Sequence, residues 1–205
     1  MKVLVACEFS GIVREAFAKR GHDAWSCDLL PTEIPGQHLQ GDVLEIIKDG
    51  WDLMIAHPPC TYISYAGTAH WNKPGRCKLR LDALDFFRQL WEAPIDKICV
   101  ENPKGCASPT IAKYSQEIQP YYFGNEDIKT TWLWLKNLPL LIHSEQDTFF
   151  EEKTHTKKPE PFTISNTLRK KKRYFTEGKH RSGHERSRTF QGIADAMASQ
   201  WGDIK

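Results

Sequence analysis

Residues 2–28 read KVLVACEFSGIVREAFAKRGHDAWSCD, and the order of patterns in this stretch decides the fold class. Lys2–Ala6 is a short apolar run of strand type, and CEFSG after it is a turn. Ile12–Arg20 has the 3.6-residue period of a helix, with Ile12, Ala16 and Phe17 or Val13 on one face and Gly21 as its stop. Asp23–Cys27 reads as a second strand with Asp28 at its tip. Such β, turn, α, β units build parallel sheets through right-handed crossovers. The expectation is an α/β, Rossmann-like fold: a mostly parallel central sheet with helices on both faces. Ligands of such sheets lie at the carboxyl ends of the strands.

The rest of the chain extends this pattern. Gly41–Ile47 is a short segment after a loop, and Trp51–Ala56 reads as a buried strand. Lys78–Trp91 is an amphipathic helix with Leu79, Leu81, Leu84, Phe87, Leu90 and Trp91 as its core side. Asp96–Val100 is a further strand that delivers Glu101, Asn102 and Pro103 to its end. Ile118–Phe123 and Thr131–Leu135 alternate as an antiparallel pair at the sheet edge. His143–Arg188 is charged, has no clear period and reads as loop or insertion; Gly192–Trp201 is a last helix. At 205 residues the expectation is a single domain over 1–205, with a basic loop-like insert at about 143–188.

Composition excludes several classes. No apolar run approaches the roughly 18 residues of a membrane span, and the start MKVLVACEF is too short for a signal peptide, so a cytoplasmic protein with no membrane partner is expected. The cysteines at 7, 27, 60, 77, 99 and 106 form no C-x-x-C pair, which favours reduced thiols. His180 and His184 stand apart from any cysteine pair, so no metal site is expected. The net charge of +2 hides an asymmetry: Leu168–Arg188 holds nine Lys or Arg against two Glu, and the rest of the chain is net acidic. A polyanionic partner suits that segment, as does a plain solvated loop.

The chemistry gathers at strand ends. Two prolines with fixed φ and no amide donor end the Trp51–Ala56 strand and mount Cys60 on a stiff turn. A thiol needs a lowered pKa or a base to act as a nucleophile. A thiolate adds to carbon 6 of a cytosine provided that ring nitrogen N3 is protonated or strongly hydrogen-bonded, and a buried Glu101 with a raised pKa suits that task. Carbon 5 is then able to accept a one-carbon group. Asp28, about twenty residues beyond the first turn, is placed to accept ribose hydroxyls. Asp42 reads as a helix cap or as a second ligand group.

Taken together, these motifs resemble the cytosine-5 DNA methyltransferases, in particular short methyltransferase-like proteins of phages and prophages. The resemblance implies S-adenosyl-L-methionine as cofactor and a methyltransferase-type Rossmann-like fold. The turn Glu8, Phe9, Ser10, Gly11 matches the family's cofactor turn; Asp28 and Asp42 match its ribose and adenine contacts. Pro58, Pro59 and Cys60 match the nucleophile motif, with Pro58 also counted among the cofactor contacts, and Glu101–Asn102 matches the Glu-Asn dyad. The likeness covers roughly 1–141 and resumes at Arg186–Trp201. DNA or a cytosine nucleotide is the implied substrate.

The chain departs from the family in informative places. Ile12 and Val13 stand where the cofactor turn has its second glycine, Thr61 where the family has Gln, and His57 where it has Gly. The family's Arg-x-Arg appears as Lys129, Thr130, Thr131; Lys129 keeps a cation able to hold a phosphate or the base carbonyl, and Thr131 does not. Only His143–Glu185 fills the place of a recognition domain on the order of a hundred residues, so strong sequence specificity is not expected. Arg169, Lys170, Lys171, Lys172 and Arg173, beside Tyr174 and Phe175, are candidates for backbone contact and base stacking. The alternatives are an inactive nucleic-acid-binding protein on the same fold, modification of free cytosine nucleotides, and methylation of an exocyclic amine, which Cys60 in place of an aromatic residue argues against.

Overall fold

The structure is a computed structural model of the 205-residue chain that describes residues 1–143, 158–160, 163–164, 172–173 and 183–204. Its centre is a seven-stranded sheet ordered β3-β2-β1-β4-β5-β7-β6. These strands are β1 (Lys2–Ala6), β2 (Asp23–Asp28), β3 (His38–Gln40), β4 (Leu53–Ala56), β5 (Lys97–Pro103), β6 (Gln116–Ile118) and β7 (Thr131–Lys136). β1 to β5 are mutually parallel, and β7 runs against both β5 and β6. The expected α/β, Rossmann-like architecture is present. Strand order turns back between β1 and β4, and a sheet of this kind opens a ligand crevice at that switch point.

Helices cover both faces, which is why Val3–Ala6, Leu53–Ala56 and Ile98–Val100 of the central strands are continuously apolar rather than alternating. On one face Val3, Val5, Leu53, Ile55, Cys99 and Leu133 pack with Phe17 of α1 (Ile12–Ala18) and with Ile193, Met197 and Trp201 of the last helix, α6 (Gln191–Trp201). On the other, Leu4, Ala6, Met54, Ala56, Ile98, Val100 and Trp134 pack with Leu84, Phe87 and Leu90 of α3 (Arg76–Trp91). The alternation of neighbours between the two lists is the strand period of two. A side chain as fully covered as Phe17, Leu90 or Met197 contributes about 1.5–3 kcal/mol by burial.

Several elements differ from expectation. Leu79 and Leu81 are not core: they are 40% and 61% exposed. In the first turns of α3, Arg76 and Arg80 instead lie over Tyr62 and Trp71 of the preceding segment. The strand expected over Ile118–Phe123 ends at Ile118, because Pro120 has no amide for the ladder, and Pro120–Phe123 turns into a 3-10 helix. Gly41–Ile47 holds the short helix α2 (Val43–Ile46), for which Asp42 is the cap, its side chain accepting from Leu44 N–H. A further short helix, α4 (Ala107–Thr110), follows β5. Within the segment read as a loop, β8 (Thr163–Ile164) pairs antiparallel with β9 (Lys172–Arg173), and α5 (Gly183–Ser187) precedes α6.

Candidate functional site

The carboxyl ends of β1, β2, β4 and β5 lie side by side, and β7, running the other way, begins beside the end of β5. Topology alone therefore brings Glu8, Asp28, His57 to Cys60, Glu101 and Lys129 to one edge of the sheet.

The turn after β1 is built around Glu8, a buried carboxylate. Its Oε1 accepts from Val13 N–H (2.7 Å) and the Ser10 hydroxyl (3.1 Å), and its Oε2 accepts from Arg14 N–H (3.2 Å). The first amides of a helix have no partner within it, and an anion is favoured there. Glu8 supplies that anion from within the chain. Gly11 takes φ +74° at the head of α1, and a Cβ there would stand 2.7 Å from the Arg14 guanidinium. That guanidinium is buried and donates to Ser26 Oγ, Thr32 Oγ1 and the Ile34 carbonyl. Phe9 is buried, and His184 of α5 stacks on its ring at 4.2 Å. Glu33 anchors α5 here, accepting from His184 Nε2 (2.9 Å) and from both Nε (2.8 Å) and Nη2 (2.6 Å) of Arg188. Of the four residues Glu8 to Gly11, the first and third are thus engaged in holding α1.

A cavity of about 250 Å³ opens beside this turn, lined by Cys7, Cys27, Asp28, Leu29, Gly41, Asp42, Val43, Pro59 and Phe86. Asp28 Oδ1 accepts from Leu30 N–H (2.9 Å) and Asp42 Oδ1 from Leu44 N–H (3.0 Å), so each carboxylate is oriented by one oxygen, and both residues line the cavity. The wall includes Pro59; Pro58 is buried, and its carbonyl accepts from Asn102 Nδ2 at 2.7 Å. The thiols in the wall are held in the protonated form. Burial, and then the charge of Asp28, pushes Cys7 far above its ordinary range and Cys27 up to about 11. Burial likewise raises Cys99 and Cys106.

The loops after β4 and β5 are fastened to one another on both sides of Cys60. Before it stand the Asn102–Pro58 bond and the contact of His57 Nδ1 with Glu101 Oε2 at 2.7 Å. After it, Tyr65 N–H donates to the Lys104 carbonyl (2.9 Å), Cys106 N–H donates to the Ile63 carbonyl (2.9 Å), and Ser64 bridges Gly105. Gly105 permits that approach, since a Cβ would collide with the Ile63 carbonyl. Cys60 itself is partly exposed, and its carbonyl accepts from Ile63 and Ser64 N–H, which closes the turn.

Glu101 differs from expectation in its charge state. Burial alone would push its pKa up, as anticipated for an acid on N3; the His57 hydrogen bond and the charge of Lys129 outweigh burial and hold it at about 2. It is therefore a carboxylate, and His57 Nδ1 is the donor in their hydrogen bond. Lys129 precedes β7 and sits over the Phe190 ring at 5.9 Å. Thr131 is buried, its hydroxyl donating to the Lys129 carbonyl (3.1 Å).

Two residues that position the site were not singled out for that role from sequence. His57 registered only as a departure, and Gly105 gave no signal beyond lying in NPKG. Of the basic run, Arg169, Lys170 and Lys171 lie outside the described residues, and for Lys172 and Arg173 only the backbone pairing of β9 is described. His180 also lies outside them; no metal-ligating cluster occurs among the described residues. No helix among them is long and apolar enough to cross a membrane.

No protein-family model matches the chain, and the curated proteins yield no significant match. Solved structures do match. One is a candidate DNA modification methyltransferase encoded within a prophage of E. coli, at 17% identity and a TM-score of 0.43, over 65% of this chain and 45% of that one. The chain thus spans less than half the length of that protein.

Proposed function

We propose that this chain uses S-adenosyl-L-methionine to transfer a methyl group to carbon 5 of cytosine in DNA, with low sequence specificity. The observation that carries the reading is that Pro59 lines the cavity and Cys60 follows it directly, on a turn tied to the Glu101 loop. A nucleoside in the cavity would then lie against the turn that carries Cys60.

The donor set fits the cofactor. Asp28 would take the ribose hydroxyls and Asp42 the adenine amine, each by its unengaged oxygen. At about 250 Å³ the cavity is smaller than the roughly 300–1,000 Å³ of clefts that enclose a whole drug-sized ligand, and it matches the nucleoside portion. A dinucleotide fits poorly, because Glu8 already fills the anion site at the head of α1 where a pyrophosphate would rest. An adenosine with a cationic tail has no such conflict. When bound, the cofactor would supply an electrophilic methyl group.

The chain's own residues do the remaining work. Cys60 is the nucleophile for carbon 6, Glu101 meets the amine and N3 edge, and Lys129 offers a cation to the base carbonyl or a phosphate. Of the six cysteines, burial raises Cys7, Cys27, Cys99 and Cys106, and exposed Cys77 lies in the first turn of α3, which leaves Cys60 as the accessible cysteine at the strand ends. Labelled cofactor and DNA containing 5-fluorocytosine should give a covalent adduct with wild type and none with Cys60→Ser. A wild type that forms no adduct, where a control enzyme does, overturns the reading.

A binding protein without turnover is the second reading, favoured by Thr131, whose buried hydroxyl serves the Lys129 carbonyl where a second cation would otherwise reach the substrate. Unaltered DNA binding by Cys60→Ser, with no methyl transfer to DNA or to cytosine nucleotides, would select it.

A further inference from the structure

Ala56 is in register with Val100, so His57 and Glu101 are the next pair up on adjacent parallel strands and share a face. Their contact of 2.7 Å is at the short end for a charge-assisted hydrogen bond, and each side chain is only 11% exposed. A buried ion pair is a poor way to gain stability, since apolar residues of the same volume commonly do as well. This one stands at the end of β4, three positions before Cys60. The other ring nitrogen, His57 Nε2, is buried with no hydrogen-bond partner, an arrangement that costs about 1–3 kcal/mol.

The ionised state of Glu101 leaves the chemistry of the proposed function incomplete. Cytosine N3 presents a lone pair, and a carboxylate has no proton to give it. As a thiolate adds to carbon 6, N3 must become N–H, so a proton has to be stored within reach of Glu101. Lys129 acts on Glu101 by its charge, but an ammonium ordinarily titrates near 10. An imidazole is the side chain that ordinarily titrates near neutrality. Because Nε2 is sealed and unpartnered, the exit for a proton from His57 is the Nδ1 to Oε2 bond.

We propose that His57 is a positioning residue for proton transfer: its imidazole stores the proton that Glu101 passes to N3 as Cys60 adds to carbon 6. The inference rests on the proposed function and deepens it. In the step, the bond from Sγ to C6 forms and the C5=C6 π pair shifts to C4–C5. The C4=N3 pair falls onto N3, which takes the proton. The imidazolium becomes neutral imidazole, Glu101 returns to carboxylate, and the thiolate charge is cancelled; reversal restores each. The other charged or titratable groups at these strand ends are Lys129, Cys60, Glu8, whose carboxylate is bound to the amides of α1, and Asp28, Asp42 and Cys7 around the cavity.

The step needs no cofactor, so it is read without one. While Cys60 is attached, carbon 5 is an enamine carbon and exchanges its hydrogen with solvent. Exchange of that hydrogen for deuterium is measured between pH 5 and 9 on single-stranded cytosine DNA. Wild type should give a bell whose alkaline limb follows an imidazole. His57→Gln should exchange about 100-fold or more slowly at neutral pH, the low end for loss of an acid-base group. Its imidazole limb should vanish and its optimum move toward acid, where Glu101 must carry its own proton. A His57→Gln protein with the wild-type profile, whether at full rate or uniformly slower, overturns the proposal. Should that variant fail to fold, nitrogen NMR of the wild-type imidazole decides: its titration should change in Glu101→Gln, and an unchanged titration overturns the pairing. The two failures are distinguishable. Wild type that forms the 5-fluorocytosine adduct while His57 has no effect on exchange loses only this inference, whereas wild type with neither adduct nor exchange loses the proposed function as well.

Discussion

Substituting Glu8 by Gln separates a residue that holds the fold from one that holds a ligand. The carboxylate takes three donors: Val13 N–H and the Ser10 hydroxyl on Oε1, and Arg14 N–H on Oε2. A glutamine keeps one oxygen, which serves the first two, and turns an NH₂ toward Arg14 N–H. One buried amide is then orphaned and the charge assistance on the others is lost, a cost of about 2–3 kcal/mol. For a chain of this size each kcal/mol lowers Tm by roughly 2–4 °C, so a fall of about 4–12 °C is expected. In the fraction that stays folded, affinity for S-adenosylhomocysteine by calorimetry should remain within about threefold of wild type, because Asp28 and Asp42 rather than Glu8 line the cavity. Asp28→Asn should behave in the opposite way, with Tm nearly unchanged and affinity reduced tenfold or more, about 1.4 kcal/mol. A Glu8→Gln protein with unaltered Tm and abolished cofactor binding would refute the assignment of its carboxylate to α1.

The pKa of folded Glu101 lies below its ordinary 4.5, at about 2, so the stability it contributes is complete above about pH 5 and is lost as pH falls from 4.5 toward 2; Glu101→Gln should flatten that part of an acid-unfolding curve. Gly105→Ala forces a Cβ into the Ile63 carbonyl and should cost about 1–3 kcal/mol, with a larger proportional loss of adduct formation than of folded protein, because the displaced segment carries Cys60. Iodoacetamide at neutral pH should modify exposed Cys77 in the native state and leave Cys7, Cys27 and Cys99 unmodified; rapid labelling of Cys7 would contradict its burial and its raised pKa. Glu33→Gln breaks the ties to His184 and Arg188, but these are partly solvated and should be worth no more than about 1 kcal/mol in a denaturant titration.

What the sequence made legible follows from range. The β1, α1, β2 opening is decided by residues within a few positions of one another, and Lys2–Ala6 and the head of α1 at Ile12 fall where the apolar period puts them. The placement of Asp28, Cys60 and Glu101 at one edge is also legible, because parallel strands must end on the same side. The insertion of β7 between β5 and β6 is not, since strand order depends on pairings far apart in the chain. Leu79 and Leu81 obey a helical period, yet nothing local reveals that the first turns of α3 leave them exposed.

The site was harder to read than the fold because residue type names a functional group and not its use. Four carboxylates were picked out by position, and the structure gives them three fates. Glu8 meets backbone amides at a helix head and becomes part of the scaffold. Asp28 and Asp42 each spend one oxygen on the next turn of chain, and both residues line a cavity. Glu101 meets an imidazole, and that partner reverses the shift that burial would impose. The deciding donor lies two to six residues away in the first three cases and 44 away in the last. The first three were therefore open to a closer reading of local turns, whereas the role of His57 required the register of β4 on β5. The register of β4 on β5 sets an imidazole against the Glu101 carboxylate, and that contact, 44 residues distant in sequence, decides a charge state that burial alone would have decided the other way.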